Sequence, residues 1–236
     1  MRKYTGIAAV ALASLVSPIP AEPAYTANHV AQREEIKNKP LELVLILSDA
    51  RRNFRRGQEH LNHGNYERAA ELLRESTLLY NKSNGLAGLT EVADTFFSNG
   101  EAHFYSAQSI RGITELKVLQ YKVAIHSFKN ALMLFDKILE KGPIGTKIPV
   151  QIIKSNTYIA SAATITGDTK NFLLHGFNLM VYSPSYMNEH NYRLISKEAE
   201  GLDGPTYKAL VEHWRHLHGE KADQIIRELE KFRKKD

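Results

Sequence analysis

One spacing of small and aromatic residues occurs twice in this chain, and it constrains the fold more than any other feature. Tyr66, Ala69, Leu73, Ser76 and Tyr80 follow one another at intervals of 3, 4, 3 and 4 residues. Fifty-five residues further on, Tyr121, Ala124, Phe128, Ala131 and Phe135 repeat those intervals. A 3-4 alternation places side chains on one stripe of an α-helix. Alanine and serine within the stripe let a second helix come close. A glycine lies nine residues before each set, Gly57 and Gly112, and is expected to serve the same close packing. The pattern predicts stacked antiparallel helical hairpins, an architecture that offers extended surface for binding.

The rest of the chain agrees with an all-α fold. Helices are expected over Leu41–His63, Tyr66–Tyr80, Thr90 to about Ile110, Thr114–Glu140 and Val150–Thr166. Further helices are expected from Asp168 or Thr169 to about Tyr182, over Asn188–Glu200, from Pro205, and over Glu220–Lys234. Turn signals separate them at Gly64-Asn65, Ser83-Asn84-Gly85, Gly142-Pro143, Gly167-Asp168 and Gly219. Ala160, Ser161, Ala162 and Ala163 suit close helix contact. No segment shows the period-two alternation of a strand. Hydrophobic residues make up 43% of the chain and charged residues 24%, which suits one folded domain over residues 40–236 rather than a disordered chain.

The N-terminus reads as an export signal. Arg2 and Lys3 precede an apolar, alanine-rich run from Gly6 to Val16, and Ser17-Pro18-Ile19-Pro20-Ala21 then breaks any helix and ends on a small residue. Residues 1–21 are expected to be a signal peptide, 22–39 a linker or a loosely attached helix, and the mature protein periplasmic or secreted. The apolar run is about half the roughly 20 residues of a membrane-spanning helix, so no span is expected after cleavage. The absence of cysteine excludes disulfides, thiolate metal sites, cysteine nucleophiles and a lipidated cysteine. Removal of Arg2 and Lys3 lowers the formal net charge from +5 to +3, which gives little reason to expect nucleic acid as a partner.

Residues Gly57 to Ser76 resemble a tetratricopeptide repeat. Gly57 matches the small residue of the first helix of that motif. Gly64, Tyr66 and Ala69 match the turn, the aromatic and the alanine that open its second helix, and Leu73 and Ser76 continue the stripe. Tyr121, Ala124, Phe128 and Ala131 match again, although Leu119 stands where the turn glycine belongs and the spacing exceeds the family's roughly 34 residues. A third, weaker copy surrounds Gly167, Phe172, Leu179 and Pro184. The resemblance implies a tetratricopeptide-like α-solenoid that binds a protein or peptide; an irregular helix bundle is the alternative. The carboxylate clamp of one version of the family is not matched, because Phe54 and Gln58 occupy its positions. The architecture is also similar to the helical periplasmic component of some tripartite solute importers, which implies a solute-binding protein as partner.

Candidate chemistry is sparse. Arg51, Arg52, Arg55 and Arg56 cluster on one helix side and are the foremost electrostatic contact candidates for a carboxylate, a phosphate or acidic lipid, although such runs are more often a solvated face with carboxylates such as Glu34, Glu35 and Glu59 nearby. His60 and His63, with Glu67, and His213 and His216, with His218, are the metal candidates, at expected helix ends and outside any zinc-protease pattern. No nucleophile elbow or phosphate loop occurs, and no cofactor is expected. The reading is a non-enzymatic binding scaffold of the cell envelope, with a small-molecule or lipid carrier or a helical envelope enzyme as the alternative. Oligomeric state is left open. Export is checked by N-terminal sequencing of protein from the native host: the mature chain should begin at Glu22, and an intact Met1 on soluble cytoplasmic protein would remove the expectation.

Overall fold

Four tight turns, each built on a glycine, set the path of the chain. Gly64, Gly112, Gly167 and Gly219 have φ of 76°, 70°, 70° and 56°. This left-handed region crowds the Cβ of any other residue, so glycine is the natural choice there. The computed structural model describes residues 40–83, 87–141 and 147–233. The expected signal peptide and linker, and the turn residues Asn84, Gly85, Gly142 and Pro143, lie outside the described residues.

Between the turns the described residues form nine α-helices: α1 (Pro40–Asn62), α2 (Tyr66–Lys82), α3 (Leu89–Ser109), α4 (Glu115–Leu139), α5 (Lys147–Thr166), α6 (Thr169–Tyr182), α7 (Glu189–Glu200), α8 (Gly204–His218) and α9 (Glu220–Arg233). One short 3₁₀ turn, Pro184–Tyr186, follows α6. Side chains of Thr114, Asp168, Asn188 and Asp203 accept from the backbone N–H three residues on, which satisfies an orphan donor at the starts of α4, α6, α7 and α8. None of the described helices is long and apolar enough to cross a membrane. The chain divides into two units, Met1–Leu45 and Ile46–Asp236. Of the first, only the opening turns of α1 are described; all that follows concerns the second.

In α1 and α2 the expected stripe is the packed one. Ala69, Leu73 and Ser76 are fully buried. Ser76 Oγ donates to the Ala50 carbonyl at 2.8 Å, and a β-carbon placed on Gly57 would lie 2.7 Å from Leu73 Cγ. Rising numbers on α1 meet falling numbers on α2, so the pair is antiparallel. Phe54 and Leu61 close this small core against Ala69, Leu73 and Ala102.

The second stripe is buried in the same way. Ala124, Phe128, Ala131 and Phe135 are fully inaccessible and Tyr121 nearly so. Here the sequence expectation for the glycines needs correcting. Gly112 has nothing within 4 Å of where its β-carbon would be, and it makes the turn, as Gly64 does. The close-packed glycine is Gly100, where a β-carbon would sit 2.8 Å from the Phe128 ring. Gly57–Tyr66 in the first pair corresponds to Gly100–Tyr121 in the second, so both arms of the second pair run further before the turn. Leu119 therefore lies within α4, exposed, instead of at a turn.

Consecutive helices continue to pack side by side: α2 on α3, α4 on α5, α5 on α6, with α3 also touching α5. At the C-terminal end, Trp214 of α8 stacks on Phe177 of α6 with ring centroids 4.1 Å apart and planes 7° from parallel. Ser196 of α7 donates to the Leu229 carbonyl of α9 at 2.9 Å.

A larger residue at either close crossing has no space. Gly100→Val should lower stability by about 1–3 kcal/mol, because overpacking against a buried ring outweighs the gain of less than ~1 kcal/mol in helix propensity. Ala69→Leu should cost a similar amount. Gly88→Ser, with nothing within 4 Å of the new β-carbon, should stay within about 0.5 kcal/mol. Urea midpoints compare the three.

Candidate functional site

The four arginines of α1 do not form one site. Arg51 Nε and Nη2 donate to Glu91 Oε1 and Oε2 of α3 at 2.9 and 3.2 Å, a two-pronged contact that fastens α1 to α3. Arg52 pairs with Asp49 at 3.0 Å on its own helix. Arg55 and Arg56 are exposed and have no ion-pair partner among the described residues. Only these two are left for an incoming anion.

The histidines separate just as clearly. His63 is exposed and its Nδ1 lies 2.6 Å from the Glu59 carbonyl; His60 is partly exposed on the same turn. His213 and His216 are exposed on α8, while His218 turns inward and its Nε2 donates to Asn178 Oδ1 at 2.8 Å. Among the described residues, no group of three or more potential ligands gathers closely enough to hold a metal ion.

The fold encloses a histidine that no motif marks in the sequence. His175 of α6 is buried, and its Nδ1 donates to Asn156 Oδ1 of α5 at 2.8 Å. Asn178 reaches the same Asn156 oxygen at 3.4 Å and also holds His218, so α5, α6 and α8 share one polar chain. Burial, aided by the nearby Lys129 charge and only partly offset by Asp168, pushes the imidazole of His175 down to about 3. It is a neutral, structural histidine.

Between α3 and α5 a second set of polar contacts accompanies the ring contact of Phe104 with Tyr158, centroids 4.8 Å apart. Asp94 accepts from Lys147 at 2.6 Å and from Gln151 at 2.9 Å. The hydroxyls of Tyr105 and Tyr158 lie 2.8 Å apart, and Tyr158 also reaches Glu101 at 3.4 Å. Tyr66 extends this cluster, its ring 5.4 Å from Tyr105. Burial raises the Glu101 carboxyl above the usual range, while Lys154 and the Tyr158 hydrogen bond pull it back.

Two grooves open on the surface. One, of about 260 Å³, lies among α2, α3 and α4; Glu67, Glu71 and Arg74 face His103 and Gln120 across it, and the exposed Leu116 forms part of its wall. His103 Nδ1 is held against Gln120 Oε1. The other, of about 550 Å³, lies between α8 and α9 and has a basic lining. Neither was visible in the sequence as a motif, because each is assembled from different helices. Compared with known proteins, the chain matches no family model, no curated protein and no solved structure.

His175 gives the fold a pH dependence of definite sign. Its imidazole takes a proton near 6.5 in the unfolded chain and only near 3 in the fold, so acid favours unfolding. Stability is full above about pH 6.5, falls as pH drops below it, and by pH 5 should be down by about 2 kcal/mol. His103 and His218, also held low by burial, act in the same direction, as does the exposed His213, lowered by partial desolvation and by the nearby His216 and Lys170 charges; the raised Glu101 and Asp136 act against it, since they favour the fold as pH falls toward their ordinary values of 4.5 and 3.8. Melting curves between pH 7 and pH 5 should show the loss, and His175→Gln should flatten the slope even if it lowers the starting value.

Proposed function

We propose that this chain is an exported, non-enzymatic binding scaffold: an array of antiparallel helical pairs, similar to a tetratricopeptide solenoid, that docks another protein of the cell envelope. The observation that carries the reading is the repeated crossing. Gly57 against Leu73 and Gly100 against Phe128 join helix pairs by the same small-against-large contact, and successive helices from α2 to α6 lie beside one another along the chain. Arrays of this kind present long surfaces whose neighbours are fixed and whose outer faces are free. The export reading of residues 1–21 puts the partner in the periplasm or outside the cell. A solute-binding subunit of an importer is one partner of that description.

The polar groups also favour binding over catalysis. Glu101 is a carboxylate raised by burial, as that of a general acid would be. Its oxygen accepts from Tyr158, and Lys154 lies close, so it serves the α3–α5 contact. Affinity capture from the native host's envelope fraction tests the reading. The tagged mature chain should retain a specific envelope protein. Recovery of no protein, together with a lipid or sugar bound to the purified chain, would turn the assignment to a carrier.

A further inference from the structure

The geometry points to the turn between α3 and α4 as a wedge that enters the surface of an anionic lipid bilayer. This goes beyond the scaffold reading and does not depend on it. Ile113, next to the turn glycine, is 78% exposed, and Leu116 and Leu119 at the start of α4 are 55% and 56% exposed. Leu116 and Leu119 are neighbours on one side of the helix, and Ile113 precedes them by three residues. From Arg111 to Leu116 six consecutive residues are exposed, the longest such run among the described residues.

The turn stands clear of the α1–α2 pair. The ring of Tyr66, which opens α2, lies 5.4 Å from that of Tyr105 on α3. The α1–α2 turn is therefore level with Tyr105, whereas α3 runs on to Ser109, about 6 Å further at 1.5 Å per residue, before the chain turns. Local bonds hold the projecting part in shape. The Ile110 N–H donates to the Ala107 carbonyl at 3.3 Å, and Lys117 Nζ donates to the Ile110 carbonyl at 3.0 Å. The Lys117 N–H donates to Thr114 Oγ1 at 3.2 Å. With these groups already bonded, shallow entry among lipid headgroups leaves fewer of them without a partner.

Charge selects the kind of lipid. Between residues 110 and 122, Arg111, Lys117 and Lys122 stand against one carboxylate, Glu115. Arg111 and Lys122 are exposed and make no ion pair among the described residues. Glu67 and Glu71 share the adjoining groove with Leu116, but they belong to α2, which begins where the projecting part of the hairpin ends. Long basic side chains beside exposed aliphatic ones suit a membrane interface: the aliphatic groups pass below the headgroups and the cations stay at the level of the phosphates. Shape decides between a bilayer and a protein. A stable protein interface covers roughly 800 Å² on each partner, and a narrow turn exposed on all sides offers no flat or hollow surface of that extent. A bilayer needs none, because lipids close round a wedge.

The chain has no cysteine, so one label can be placed at a chosen position. In the full chain, Ile113→Cys carrying the polarity-sensitive dye NBD is titrated with vesicles of phosphatidylcholine and phosphatidylglycerol in equal parts. Its emission should move to the blue and saturate, with a response about tenfold weaker for phosphatidylcholine alone. The same dye at Asn65→Cys, in the α1–α2 turn, should not respond, which separates the wedge from binding through another part of the chain. Leu116→Ser with Leu119→Ser, and separately Arg111→Glu with Lys122→Glu, should each raise the lipid concentration at half-response about tenfold. All four positions are exposed, so the fold should persist, as circular dichroism checks. No response at position 113, an equal response at position 65, an equal response to both kinds of vesicle, or a response untouched by either pair would overturn the wedge. A blue shift caused by detergent-solubilised envelope proteins of the native host, and not by vesicles of its envelope lipids, would overturn it in favour of a protein contact.

Discussion

The structure depends on how closely its helices approach at two crossings. At Gly57 and at Gly100 a single β-carbon would fall within 3 Å of a fully buried Leu73 or Phe128, a distance that packed atoms do not tolerate. Each large side chain therefore fills the space left by a glycine on the facing helix. That fixes both the distance and the register of the pair. Ser76 on Ala50 and Asn99 on Ser127 then supply hydrogen bonds that form only in that register. The glycines cost helix propensity, and their place in helix interiors makes sense only because of what they allow opposite them.

The stripes were legible because burial writes itself into the sequence at helical spacing. All five residues of the second stripe and four of the first are buried; Tyr66, the fifth, lies partly exposed against Tyr105. The start of α6 was legible for a similar reason, since Asp168 caps it through a purely local hydrogen bond, as Asn188 and Asp203 cap α7 and α8. The two roles of glycine were not separable from sequence alone. Gly112 has the spacing of a packing residue and makes a turn, while Gly100 looks like a tolerated flaw and is the packing residue. An interior glycine in an otherwise strong helical pattern was the signal that could have found it.

Surface chemistry was harder to read, because its partners come from far along the chain. Four clustered arginines look alike in sequence. Glu91, forty residues from Arg51, makes one of them a cross-link between helices, and Asp49 ties down the next. His175 gave no sign of its burial, since Asn156 reaches it only once α5 and α6 have paired. The basic groove between α8 and α9 has the same origin. Neither helix carries a motif, and the groove exists only where the two meet.

The stacking of Trp214 on Phe177 has an optical consequence. The chain has a single tryptophan, and that residue is wholly shielded from water at the contact between α6 and α8. Its emission therefore originates at one junction, far to the blue of a hydrated indole. Any event that lets α8 lift from α6, with the rest of the helices still in place, would move that emission to the red while helical circular dichroism scarcely changed. The fold thus carries its own spectroscopic reporter for the attachment of its C-terminal helices.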